Sequence, residues 1–173
     1  MIRKLAKKLS AFENFVDDVV AEIKFFYGNF EEDTKILKNR RNLKIIQVST
    51  SDAKILVKLM TPQKNFEETF TTAKNFQNEK NLWKNFSAEE VFNFVEEVGD
   101  KNKIHKISRP IVPGLLILET LLTSEKIFPC KILEMRFKNF ITVGENLTLE
   151  KIDENNFEIK CGDSTKILMK KYL

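Results

Sequence analysis

The chain has 173 residues and a mass of 20.2 kDa, enough for one domain with an appendage. Hydrophobic residues make up 42% and charged residues 31%, a balance that excludes a disordered chain. The net charge of +4 suits an acidic or phosphate-bearing partner, but no dense Lys/Arg stripe interleaves with aromatics, so nucleic acid is not expected.

No apolar run reaches the ~18 residues of a membrane span. The longest, Ile111 to Leu122, is broken by Pro113, Gly114, Glu119 and Thr120. The N-terminus carries no secretory h-region or small-residue cleavage site, and Cys130 and Cys161 lack CxxC or CxxH spacing. The expectation is a cytoplasmic protein with neither a disulfide framework nor a zinc ribbon.

In residues 1–28, Ile2, Leu5, Leu9, Phe12, Val16, Val19, Ile23 and Phe26 alternate steps of three and four. That spacing predicts one amphipathic helix stopped by Gly28. It would cover its own domain or a second subunit. Residues 29–42 are polar and read as a connection. Leu43 to Thr50 and Ala53 to Thr61 read as two strands joined by a tight turn at Ser51-Asp52. Residues 63–85 offer Phe66, Phe70, Phe76 and Trp83 without a clear period, compatible with an irregular lid or short helices.

Ser87 followed three residues later by Glu90 is a capping box, with Phe86 and Val91 as its hydrophobic staple. Val91, Phe94, Val95 and Val98 share one face, and Gly99 is placed to end the helix. Leu115 to about Ser124 predicts a second helix, apolar on nearly every side and therefore buried. After Pro129, alternation at Leu133, Met135 and Phe137 opens a series of strands. Leu147 to Ile152, Phe157 to Cys161 and Thr165 to Tyr172 follow, divided by Gly144-Glu145-Asn146, Asn155-Asn156 and Gly162-Asp163. The expected architecture is α+β, an antiparallel meander wrapped round one buried helix.

The chain has a single histidine, His105. Asp100 precedes it by five residues, just past a predicted helix end. The stretch Arg109-Pro110-Ile111-Val112-Pro113-Gly114 then leads into a helix N-terminus, whose free N–H groups and positive dipole end could polarise a carbonyl. Glu119 is the other anomaly, a carboxyl group on an apolar helix. Burial would raise its pKa toward the range of a general acid or base, unless it lies on an exposed stripe with Thr120 and Thr123. One histidine excludes a multi-His metal site within one chain.

These residues carry a resemblance. The run from Phe86 through Gly99-Asp100-Lys101-Asn102-Lys103-Ile104-His105 resembles the MaoC-like (R)-specific enoyl-CoA hydratases, whose signature is a helix followed by Gly-Asp-x-Asn-Pro-x-His. Arg109 to Glu119 resembles the FabZ-type 3-hydroxyacyl-acyl-carrier-protein dehydratases, where a His is followed by Pro-x-x-Pro-Gly and then a helical Glu. Arg136 to Asn139 with Val143-Gly144-Glu145 resembles the strand that follows in both families. The likeness covers residues 86–150. It departs at Lys103, where the first family has Pro, at Ile107, where it has an acidic residue, and at Lys106-Ile107-Ser108, where the second has Phe-Pro-Gly.

The resemblance implies a hot-dog fold over 41–173, preceded by an N-terminal helix and connection over 1–40. It implies a homodimer acting on a coenzyme A or acyl-carrier-protein thioester, without a metal or redox cofactor. The implied reaction interconverts trans-2-enoyl and (R)-3-hydroxyacyl thioesters. His105 would move a proton or hold the water, with Asp100, or Glu119 from the partner subunit, as its acidic companion. Gly114, Asn102 and Pro113 would bind substrate. The alternatives are an acyl-CoA thioesterase and a non-catalytic acyl-thioester-binding protein.

Overall fold

The computed structural model describes residues 1–12, 17–62 and 82–173. The chain opens with helix α1 (Ile2–Ser10), then strands β1 (Val19–Tyr27), β2 (Asp33–Arg40), β3 (Leu43–Ser49), β4 (Ala53–Met60) and β5 (Leu82–Lys84). Helix α2 (Ala88–Val98), a 3₁₀ turn (Lys103–His105) and helix α3 (Gly114–Leu122) follow. Strands β6 (Ile132–Phe137), β7 (Leu147–Lys151), β8 (Asn156–Cys161) and β9 (Ser164–Tyr172) complete it. Among the described residues these nine strands form one sheet in the order β2-β3-β4-β1-β6-β9-β8-β7-β5. Among the described residues no helix is long and apolar enough to cross a membrane.

The single helix expected over 1–28 is corrected. The helix ends at Ser10, and Val19–Tyr27 is a strand near the middle of the sheet, hydrogen-bonded to β4 on one side and β6 on the other. The segment VVAEIKFFY is rich in β-branched and aromatic residues, which suit a pleated surface. Ile23 and Phe25, two apart, are fully buried. Gly28 follows a strand instead of closing a helix, and Val16 lies outside the described residues. The connection expected over 29–42 contains edge strand β2, paired with β3. The sheet therefore draws two strands from residues 1–40.

Other expectations hold. β3 and β4 form an antiparallel hairpin, and β4 buries Ala53, Ile55, Val57 and Leu59 at strict alternation. α2 carries both halves of the capping box: Ser87 Oγ accepts from Glu90 N, and Glu90 Oε2 accepts from Ser87 N. β7, β8 and β9 are a meander. β6 does not precede β7 in space; it sits between β1 and β9, so the expected four-strand meander is interrupted. Of residues 63–85, compatible with an irregular lid or short helices, 63–81 lie outside the described residues, and Leu82–Lys84 is a short strand paired with β7.

Leu115, Leu116, Ile117, Leu118 and Leu121 of α3 are buried in the core with Ile23, Phe25, Leu133 and Met135 of the sheet. Each such side chain contributes about 1.5–3 kcal/mol by leaving water. α1 lies against both α2 and α3 and buries Ile2, Leu5 and Ala6.

Candidate active site

The site begins where α2 stops. Gly99 takes the left-handed conformation (φ 70°) that a side chain would resist, and Asp100 N returns to Val95 O at 3.0 Å. The chain turns sharply there, and Asp100 Oδ1 accepts from Asn102 N at 2.9 Å. Asn102 then caps the 3₁₀ turn, its Oδ1 accepting from Ile104 N at 3.3 Å, while its Nδ2 donates to Asp18 O at 2.8 Å. Both ends of the Asn102 amide are thus engaged by main chain. Its place in the site is to hold the loop that presents His105.

His105 is 6% exposed. Its Nδ1 lies 2.6 Å from Ile111 O. A carbonyl oxygen can only accept, so Nδ1 carries the hydrogen and the neutral ring presents a lone pair at Nε2. Nε2 faces Asp100 Oδ2 at 3.5 Å. Burial pushes the imidazole pKa down, Asp100 and the Ile111 carbonyl work against that, and Lys106 adds to it; the net direction is down. A buried ring that stays neutral near pH 7 and bears its lone pair beside a carboxyl group is equipped to accept a proton.

The second component is the start of α3. Pro113 O accepts from Leu116 N and Ile117 N at 3.0 and 3.1 Å. The Gly114 and Leu115 amides precede the first intrahelical bond and sit at the positive end of the helix dipole. A Cβ on Gly114 would meet Phe137 Cζ at 3.1 Å and Ile23 Cδ1 and Val20 Cγ1 at 3.4 Å. Glycine here lets the helix terminus seat closely on β1 and β6.

His105, Asp100, Asn102, Pro113 and Gly114 line one cavity of about 110 Å³. Apolar side chains form much of the rest of its wall, among them Ala6 and Leu9 of α1, Phe94 of α2 and Ile117 of α3. Glu119 does not join them. It is half-buried on the outer side of α3, where Arg3 of α1 grips it through Nε and Nη2, both at 3.1 Å. Arg3 also pairs with Glu97 of α2. The Asp100–His105 pair of the first pattern is brought together within this chain, and the His105–Glu119 pair of the second is not.

The sequence reading missed Asp18, which lies where it expected helix. Asp18 lines the cavity, is 4% exposed, and accepts from Lys44 Nζ and Thr61 Oγ1. It also missed the contribution of α1 to the cavity wall. The partner of His105 Nδ1 is a main-chain carbonyl, which residue types do not reveal. Cys130 is buried and Cys161 half-buried, and burial pushes both thiols up, away from nucleophilic use.

No family model matches the chain, and no curated protein matches it. Solved structures do. HtdX from Mycobacterium tuberculosis superposes with a TM-score of 0.66 at 12% identity, over 99% of this chain and 87% of that one. A MaoC-like dehydratase from Phytophthora capsici gives 0.54 at 12% identity, over 92% and 70%. The peroxisomal multifunctional enzyme type 2 of Drosophila melanogaster gives 0.60 at 12% identity, over 98% of this chain and 40% of that one. The antiparallel sheet around α3, shared with these structures, is the hot-dog fold.

Proposed function

We propose that this chain is a hydratase or dehydratase of acyl thioesters, interconverting trans-2-enoyl and (R)-3-hydroxyacyl forms. One observation carries the reading: a buried, Nδ1-locked imidazole faces a carboxyl group at 3.5 Å in a cavity shared with a helix N-terminus. In the hydration direction, water bound between His105 Nε2 and Asp100 Oδ2 adds its oxygen to the β-carbon. The proton it loses passes to Nε2, and the alkene electrons move onto the thioester oxygen as an enolate. The Gly114 N–H at the α3 dipole end stabilises that charge. Return of the proton to the α-carbon restores the thioester, so H and OH have been added and nothing else is consumed. Each well-placed proton transfer contributes about 10²–10⁴-fold.

Glu119 has no part in this scheme, because Arg3 holds it. Exposed Lys101, Lys103 and Lys106 surround His105 and suit the phosphates of coenzyme A or the acidic face of a carrier protein.

Incubation with crotonyl-CoA tests the reading. Loss of enoyl absorbance without free thiol supports it. Thiol release would instead establish a thioesterase, and a raised melting temperature without either would establish a binding protein. Retained turnover after His105→Ala would remove His105 from its role.

A further inference from the structure

The sheet holds a buried ion pair that the proposed reaction does not use. Lys166 of β9 and Glu145, in the turn before β7, are 8% and 5% exposed and meet at 2.9 Å between Nζ and Oε1. Buried charges are costly unless well hydrogen-bonded, and here the bonds run to the 138–145 segment. Lys166 Nζ also donates to Phe140 O at 2.9 Å, and Lys166 O accepts from Lys138 N and Asn139 N at 2.8 and 3.2 Å. Glu145 Oε2 accepts from Thr142 N at 3.4 Å. The Thr142 hydroxyl is buried without a hydrogen-bond partner, so main-chain bonds hold this residue in place.

That segment is in turn zipped to the one carrying the His105 acceptor. Ile111 bridges Thr142, Val112 N donates to Ile141 O at 2.8 Å, and Val143 N donates to Pro110 O at 3.1 Å. Ile111 O then receives His105 Nδ1 at 2.6 Å. Hydrogen bonds, with the main chain of 110–112 and 141–143 between them, thus connect β9 through Glu145 to the imidazole.

We infer that Glu145 and Lys166 are positioning residues for His105: by bracing 140–143 they fix the Ile111 carbonyl that sets the tautomer and aim of the ring. The activity arm of the test rests on the hydratase reading; the structural arm does not. The lone histidine makes this separable, since every imidazole resonance in a spectrum of the full chain belongs to His105. The charged groups facing the ring are Asp100 and Lys106, and neither is altered.

The informative variant is Glu145→Leu with Lys166→Met, which replaces the pair by apolar groups of similar size and so can keep the fold. NMR of the wild type is expected to show a protected Nδ1 proton and a ring that titrates below the ordinary imidazole range. In the double variant, the Nδ1 proton exchanges quickly and the titration moves further down, because the Ile111 carbonyl no longer supports the charged ring. Turnover of crotonyl-CoA falls about tenfold to a hundredfold, as for a small misplacement of a reacting group, and its acid limb moves with the ring. Lys166→Arg retains both signatures. A folded double variant with an unchanged Nδ1 proton and titration overturns the inference. Absent turnover in the wild type overturns the hydratase reading alone, and the NMR result still decides the brace. If the double variant does not fold, Glu145→Gln, which keeps the side-chain size, is read by the same two NMR signals and decides in the same way.

Discussion

Arg3 and Glu119, 116 residues apart, form a forked ion pair that joins the first helix of the chain to the central one. Arg3 reaches Glu97 as well, so a single guanidinium ties α1 to both α2 and α3. The arrangement gives Glu119 a structural occupation. Glu119→Gln is expected to leave crotonyl-CoA turnover within a factor of a few. Asp100→Asn should abolish most of it. Because the Arg3 side chain is 41% exposed, the stability cost of the Glu119 change is about 1 kcal/mol or less, a few degrees in melting temperature. Steady-state rates of the two variants, side by side, decide the assignment.

Burial makes stability depend on pH in a definite sense. The unfolded chain protonates His105 near an ordinary value of about 6.5. The folded ring, its pKa pushed down by desolvation, takes a proton only at lower pH. Between those values the unfolded state holds more protons. The stability advantage of the neutral ring is therefore whole above pH 6.5 and declines as pH falls toward the folded pKa. Urea midpoints of wild type and His105→Gln, measured from pH 7.5 down to 5, should converge toward the acid end. Parallel curves would contradict the depressed pKa.

Gly114→Ala tests the seating of α3. The added carbon would press on Phe137, Ile23 and Val20, all side-chain ends able to shift by a few tenths of an ångström. Overpacking of this kind costs about 1–3 kcal/mol. The variant should fold, melt lower, and lose activity through a displaced helix terminus. Calorimetry with initial rates measures both effects.

The apolar wall supplied by α1 carries a prediction about substrate length. At roughly 10–15 Å³ for a single water-sized occupant, a cavity of about 110 Å³ suits a short acyl chain. Leu9→Ala should raise kcat/KM for eight-carbon enoyl thioesters relative to four-carbon ones. Ala6→Leu, which fills the wall from a buried position, should do the reverse. Unchanged ratios in both variants would show that α1 does not limit length.

How far the sequence could be read depended on whether each signal was local. Ser87 and Glu90 cap α2 with each other, and Asp100 reaches His105 across a five-residue turn that Asn102 caps, so both were visible within a short window. β1 was not. Its apolar residues occur at nearly every position, because it is flanked by β4 and β6, and the three-and-four spacing that suggested helix coexists with the two-residue spacing of Ile23 and Phe25. β2 was hidden for the opposite reason: as an edge strand it leaves Ile36 and Leu37 exposed amid charges and shows no buried face. The environment of Glu119 could not be read at all, since its partner is Arg3 at the other end of the sequence.

The seam between β1 and β6 has a bearing on biosynthesis. β1 leaves the ribosome about a hundred residues ahead of β6, which at ordinary translation speeds is on the order of 5–20 seconds. Throughout that interval one side of β1 offers a row of bare amides and carbonyls beside Ile23 and Phe25, a template for stray strands. Slow codons or a shortage of chaperones in the stretch before Ile132 are therefore expected to raise the insoluble share of the expressed chain.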